Sequence, residues 1–179
     1  MHPLSHAEPT PRHDASEPET SPESGQRRER KQAGDIALSR FEALNGAIFD
    51  EALPVPTIRI VRMAGIGWGA CSVRLDPVSG DPEICAIELC ERLFSKFDGH
   101  APLDTILSHE MIHVHQWMVQ GPEIMKSGRL PKFGHGPDFF WWKPVLARYG
   151  YPLKRGYSRV ELERLDRRSL RKEADTLCL

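Results

Sequence analysis

His109-Glu110-Met111-Ile112-His113 sets two imidazoles and a carboxylate within one turn and a half of a potential helix. Residues four apart on a helix lie about 40° apart around its axis, so both imidazoles point the same way and can share one metal ion. Glu110 lies about 100° from His109, beside the metal rather than on it. Neutral histidines on zinc bring the pKa of a bound water towards ~7, and an adjacent carboxylate can take its proton. The competing reading is a polar helix face with two ordinary histidines. Leu107, Met111, Val114 and Met118 form an adjoining apolar stripe, so this is expected to be a core helix. Buried polar groups there need partners, and a metal supplies them. His115, about 160° from His113, cannot reach the same ion and is expected at the surface or in a contact elsewhere.

A third ligand must come from outside this motif. The longer H-E-x-x-H-x-x-G-x-x-H pattern fails, because Gln116 and Val119 stand where Gly and His are needed. Glu123 is too close to the expected helix end to turn back. His135, in His135-Gly136-Pro137-Asp138-Phe139, follows a loop long enough to reverse the chain and can project back onto the first helix. Its alternative role is a helix-capping or loop histidine. Asp138 is a weaker ligand candidate that better suits a helix start or a contact to a ligand. Phe139, Phe140, Trp141 and Trp142 are consecutive and cannot share one face, so they are expected mainly in the core, with an exposed ring available to substrate. Cys71, Cys85 and Cys90 lie in or beside apolar runs and read as inert core thiols. With Cys178 they form no C-x-x-C pair, which argues against a cysteine-ligated zinc.

The elements that must position these residues follow from pattern. Leu38, Phe41, Leu44 and Ile48 predict a helix from Asp35, ending before Pro54. Thr57–Arg62 alternates like a strand, Gly65, Gly67 and Gly69 lead by a turn into a second strand near Ala70–Leu75, and Glu83–Leu89 is a third. Residues 91–98 suit a short helix. The motif helix is expected over Leu103–Gln120, stopped by Gly121-Pro122. A loop over 121–134 then leads to a helix from Pro137 to Tyr149, kinked at Pro144. The fold class is therefore α+β, with a short antiparallel or mixed sheet packed on the motif helix. Residues 1–33 hold five of the fifteen prolines, eleven charged residues and no aromatic, and read as a disordered tail whose His2, His6 and His13 are bystanders. The expected division is a tail over 1–33, a folded domain over 34–153 and a charged extension over 154–179, forming an exposed helix with a frayed end.

Composition excludes several classes. The chain has 179 residues, 40% of them hydrophobic, and a formal net charge of −1, which suits one domain with a core and argues against wholesale nucleic-acid binding. No apolar run approaches the ~18 residues that span a bilayer, and no secretory signal is recognisable, so no membrane partner and a cytoplasmic location are expected.

Three blocks resemble the SprT-like, Spartan-related family of zinc metallopeptidases: Phe41–Asp50 with Leu53-Pro54, Ser108–His113, and His135–Phe139, within a likeness covering roughly Ile36 to Tyr151. The resemblance implies a compact zincin-like domain. It implies one Zn2+ held by His109, His113 and His135, with Glu110 as general base for peptide-bond hydrolysis by a zinc-activated water. Protein or peptide substrate would add as a strand on the sheet edge, for which 83–89 is the candidate, and Tyr157 is a candidate oxyanion donor. Relatives act on proteins crosslinked to DNA and often carry a cysteine-rich zinc ribbon, which this sequence does not contain. The basic stretch Lys154–Lys172 has eight Lys or Arg against three acidic residues, and Lys126, Arg129 and Lys132 accompany the expected site. These cations are read as a solvated face or a local anion contact, so DNA is a weakly supported partner. The alternative from another class is a zinc-stabilised DNA-associated or regulatory binding module without useful turnover. Substrate-binding and nucleic-acid-binding residues, physiological substrate and oligomeric state are not legible in the sequence.

Overall fold

The computed structural model describes residues 22–65, 67–126 and 134–177. Helix α1 (Pro22–Phe49) buries Ala33, Ala37, Phe41, Leu44 and Ile48 along one stripe. It begins at Pro22, so residues 22–33, expected in the tail, are helical. The exit is built rather than merely broken by Pro54. Asp50 and Glu51 take positive φ, and buried Asn45 clamps Leu53 by donating to its carbonyl (2.9 Å) and accepting its N–H (3.2 Å). His2, His6 and His13 lie outside the described residues, as do Arg129, Lys132, Cys178 and the side chain of Lys126.

The sheet has strands β1 (Thr57–Val61), β2 (Gly69–Leu75) and β3 (Pro82–Cys90), in the order β1-β3-β2. β1 runs parallel to β3, and β2 antiparallel to it. The β2–β3 hairpin turns on Asp76, whose carboxylate accepts the N–H groups of Val78 and Ser79, and on Gly80 at φ +76°. The run 83–89 is therefore the sheet's centre, not its edge. Cys85, Ala86, Ile87, Leu89 and Cys90 are all buried, so both of its faces are covered. The free edges belong to β1 and β2.

After a short α2 (Arg92–Ser95), helix α3 (Ala101–Val114) continues into a π-helical turn (His115–Gln120) and then α4 (Gly121–Lys126). Gly121-Pro122 thus does not stop the helical run. The wider π turn restarts it, and Pro122 falls in the first turn of α4, where its missing N–H costs nothing. α3 packs against β2, α1 and the last helix, Arg159–Leu177, and its Leu107, Met111, Ile112 and Val114 are fully buried. Asp104 on α3 joins three elements: Arg40 of α1 binds it through two nitrogens (2.8 and 2.6 Å), and the Tyr151 hydroxyl donates to it (2.9 Å).

The expected helix 137–149 is two short ones, α5 (Pro137–Phe140) and α6 (Lys143–Arg148), broken at Trp141-Trp142 so that Pro144 sits harmlessly in the first turn of α6. α7 (Arg159–Leu177) is not a solvated rod. Leu162 is fully buried, and the buried Asp166 carboxylate accepts the N–H groups of Gly99 (2.8 Å) and Asp98 (3.3 Å). Among the described residues no helix is long and apolar enough to cross a membrane.

Candidate metal centre

His109 and His113 stand one turn apart on α3, and His135 reaches them from the loop before α5. One nitrogen of each lies within 4.8 Å of the others, and the Nε2 atoms of His109 and His135 are 2.9 Å apart. Phe139, fully buried, touches all three rings, stacking on His113 at 4.9 Å and meeting His109 and His135 edge-on at 4.8 and 4.6 Å. The first of the four consecutive aromatics is thus the floor of the cluster, while Trp141 points out and is 66% exposed.

The donor set suits a metal. Burial lowers the pKa of all three imidazoles, that of His109 to about 3 with help from its two neighbours, so each is in the neutral form that offers a lone pair. His113 Nδ1 lies 2.8 Å from Gln116 Oε1, while Gln116 Nε2 donates to Gly134 O at 3.2 Å. With its amide nitrogen so used, Gln116 must accept at Oε1, which fixes the proton on His113 Nδ1 and leaves Nε2 free for the cluster. Gln116 is itself buried, and one side chain therefore orients one histidine and ties down the segment that carries another. His109 Nδ1 is buried with no hydrogen-bond partner of ordinary geometry. Three histidines so placed could hold a metal ion.

Glu110 is buried beside the cluster and faces the same cavity, of about 940 Å³. Burial first, and the Cys85 thiol second, push its carboxyl up to about 8. Gly69, at the start of β2, makes room for it: a methyl group there would lie 2.8 Å from Glu110 Oε1 and from Ile106 Cγ2. Gly67, Trp68, Gly69, Ala70 and Cys71 line the cavity, as do Arg155 to Arg159, and the two segments are joined where Trp68 Nε1 donates to Tyr157 O (3.0 Å). Cys71 is thus not wholly in the core; its Sγ lies 3.3 Å from that of Cys85, and both are free thiols.

The other sequence candidates fall elsewhere. Glu123 and Asp138 are exposed and outside the histidine cluster, Asp138 in the first turn of α5. His115 is half-buried and outside the histidine cluster, in a contact elsewhere as one of its two expected places; it packs against Trp142 and Phe49, its ring centroid 5.0 and 6.4 Å from theirs. Tyr157 meets His109 edge-on at 5.8 Å, but its hydroxyl donates to Pro152 O (2.7 Å) and so is already committed to its own loop.

Sequence reasoning missed Gln116 and Gly69. The first was readable, since a glutamine three residues after a ligand histidine on a helix is within hydrogen-bond reach. Gly69 carried no local signal, because what it accommodates lies 41 residues on.

A model of the SprT-like family matches residues 37–155 of the chain. No curated protein matches it.

Proposed function

The chain belongs to the SprT-like family, and on that premise we propose that it is a zinc-dependent peptidase with a zincin-like site. His109, His113 and His135 would hold one Zn2+, and three protein ligands are the number that catalytic rather than structural zinc sites supply. When bound, the metal supplies Lewis acidity to the peptide carbonyl and to water. The observation that carries the reading is the buried Glu110 carboxyl, turned into the same cavity as the three histidines and given its space by Gly69. A site that only holds the fold together has no use for a carboxyl kept there at the cost of burial.

The residues divide the work. Glu110 takes a proton from the attacking water and returns it to the leaving amine. Its raised pKa suits both halves of that exchange, and a dication on the histidines favours its charged form during the first. Gln116 holds the tautomer of His113, and Phe139 fixes the planes of all three rings. Extended substrate pairs with the free edge of β2, whose first residues line the cavity, rather than with β3, which has no free edge.

The test is zinc stoichiometry and cleavage of an unstructured protein by wild type and Glu110→Gln. The expected result is one zinc in both and loss of cleavage, by 10²-fold or more, in the variant. Stoichiometric zinc with no cleavage by wild type would return the site to a zinc-stabilised binding module. Absence of zinc at micromolar metal would remove the metal reading altogether.

A further inference from the structure

The cavity is charged on one side. Among the described residues, Glu110 is the acidic residue of its lining and is buried, whereas Arg92, Arg155 and Arg159 also line it. These three guanidinium groups are not equivalent. Arg92 lies over the Trp68 ring (4.8 Å) and donates to the carbonyls of Gly65 and Gly67. Arg159 pairs with Glu163 at 2.6 Å, and the neighbouring Lys154 with Glu161. Arg155 is exposed and, among the described residues, has neither an ion pair nor a hydrogen bond. It opens the wall Arg155-Gly156-Tyr157, whose Tyr157 ring touches His109. Among the described residues, the uncommitted cation of the cavity therefore stands within a residue or two of the histidine cluster's own packing contacts.

The geometry points to Arg155 as the residue that selects polypeptide substrates bearing a carboxylate close to the cut bond. This rests on the peptidase reading above for the word substrate, but the recognition itself is a binding event. A guanidinium offers a carboxylate two parallel N–H donors, a charge-assisted contact that fixes direction as well as adding strength. The source of the carboxylate can be an Asp or Glu side chain or the chain's own C-terminus. Nucleic acid is the less suited ligand. Tracking a phosphate backbone needs a row of free cations, and here the cations next to Arg155 are paired with Glu161 and Glu163.

The experiment uses the full zinc-loaded chain as Glu110→Gln, which binds without turnover, and fluorescein-labelled unstructured peptides of equal length. One is Asp-rich and C-terminally amidated, one neutral and amidated, one neutral with a free C-terminus, and one Lys-rich and amidated. The expected result is about three- to ten-fold tighter binding of a carboxylate-bearing peptide than of the neutral amidated one. Added salt should weaken this preference, Arg155→Ala should abolish it and Arg155→Glu should invert it towards the Lys-rich peptide. The amidated Asp-rich and the free-acid arms tell which carboxylate is read. Equal binding of all four peptides, or a preference unchanged in Arg155→Ala, overturns the inference, as does a single-stranded oligonucleotide that binds through Arg155 where no peptide does. Mapping of wild-type cleavage sites runs beside it. Cleavage without an Arg155-dependent preference removes this inference and leaves the peptidase, whereas Arg155-dependent peptide binding without cleavage removes the peptidase and leaves the inference.

Discussion

Gly69→Ala tests whether the sheet positions Glu110, the proposed general base. A Cβ at residue 69 would sit 2.8 Å from Glu110 Oε1, 2.8 Å from Ile106 Cγ2 and 3.0 Å from Glu110 Cγ. Ordinary contact starts near 3.4 Å, so Glu110 or the first residues of β2 must give way by about 0.6 Å. Ile106 is buried on the same helix and cannot yield alone. A misplacement of ~1 Å at a reacting group costs about 10²-fold, so the expected fall in kcat is roughly 10- to 100-fold. The histidines are untouched, and zinc content should stay at that of wild type. Overpacking should lower stability by about 1–3 kcal/mol, visible as a modest drop in Tm. Gly67→Ala is the matched control, because a Cβ there meets only Met63 Sδ at 3.6 Å. The assay is kcat on an unstructured protein at saturating substrate, with metal analysis of the same samples. If Gly69→Ala keeps kcat within two-fold of wild type, or if Gly67→Ala loses as much, β2 does not position Glu110 and the reasoning fails.

Three further outcomes are expected. Gln116→Leu should weaken zinc by about 10- to 100-fold in a chelator competition, and Gln116→Glu, which keeps an acceptor for His113 but loses the donor to Gly134, should weaken it less. Asp104→Asn should lower stability by about 2–3 kcal/mol in a denaturant titration, since it removes the buried charge that pairs with Arg40 and one of the two acceptor oxygens that Arg40 and Tyr151 use. Glu161 is held at about 2, chiefly by Lys154 and then by the Ser158 N–H and hydroxyl. Its folded pKa is depressed, so its support of the α7 start is complete above the ordinary carboxylate value of 4.5 and is lost as pH falls towards 2. NMR titration of the Glu161 side chain and of α7 amides should show both, and Glu161→Gln should remove the acid dependence.

What was legible in the sequence was what a single helix or a single turn decides. His109 and His113 share a face because four residues make about one helical turn, and that holds whatever packs around them. His135 was reachable because a chain reversal of suitable length precedes a proline that starts a helix. The misplaced sheet centre had a readable signal that alternation obscured. Ile84-Cys85-Ala86-Ile87 and Leu89-Cys90 form a nearly unbroken apolar run, as a strand covered on both faces requires, whereas Thr57-Ile58-Arg59-Ile60 alternates as a half-exposed strand does. β1 pairs with β3 and not with its sequence neighbour β2, which leaves β2 at an edge beside the site. The failed helix stop at Gly121-Pro122 has the same root: a local breaker acts only where the hydrogen-bond register needs the group it lacks, and the π turn removes that need. The cavity's second lining segment shows where local reasoning ends. Arg155 to Arg159 belong to a stretch that read as a solvated charge run, and contacts remote in sequence, the docking of α7 through Leu162 and Asp166 and the hydrogen bond from Trp68 Nε1 to Tyr157 O, hold that stretch against His109. The part of the chain that looked least like a site is thereby the part that can choose what enters it.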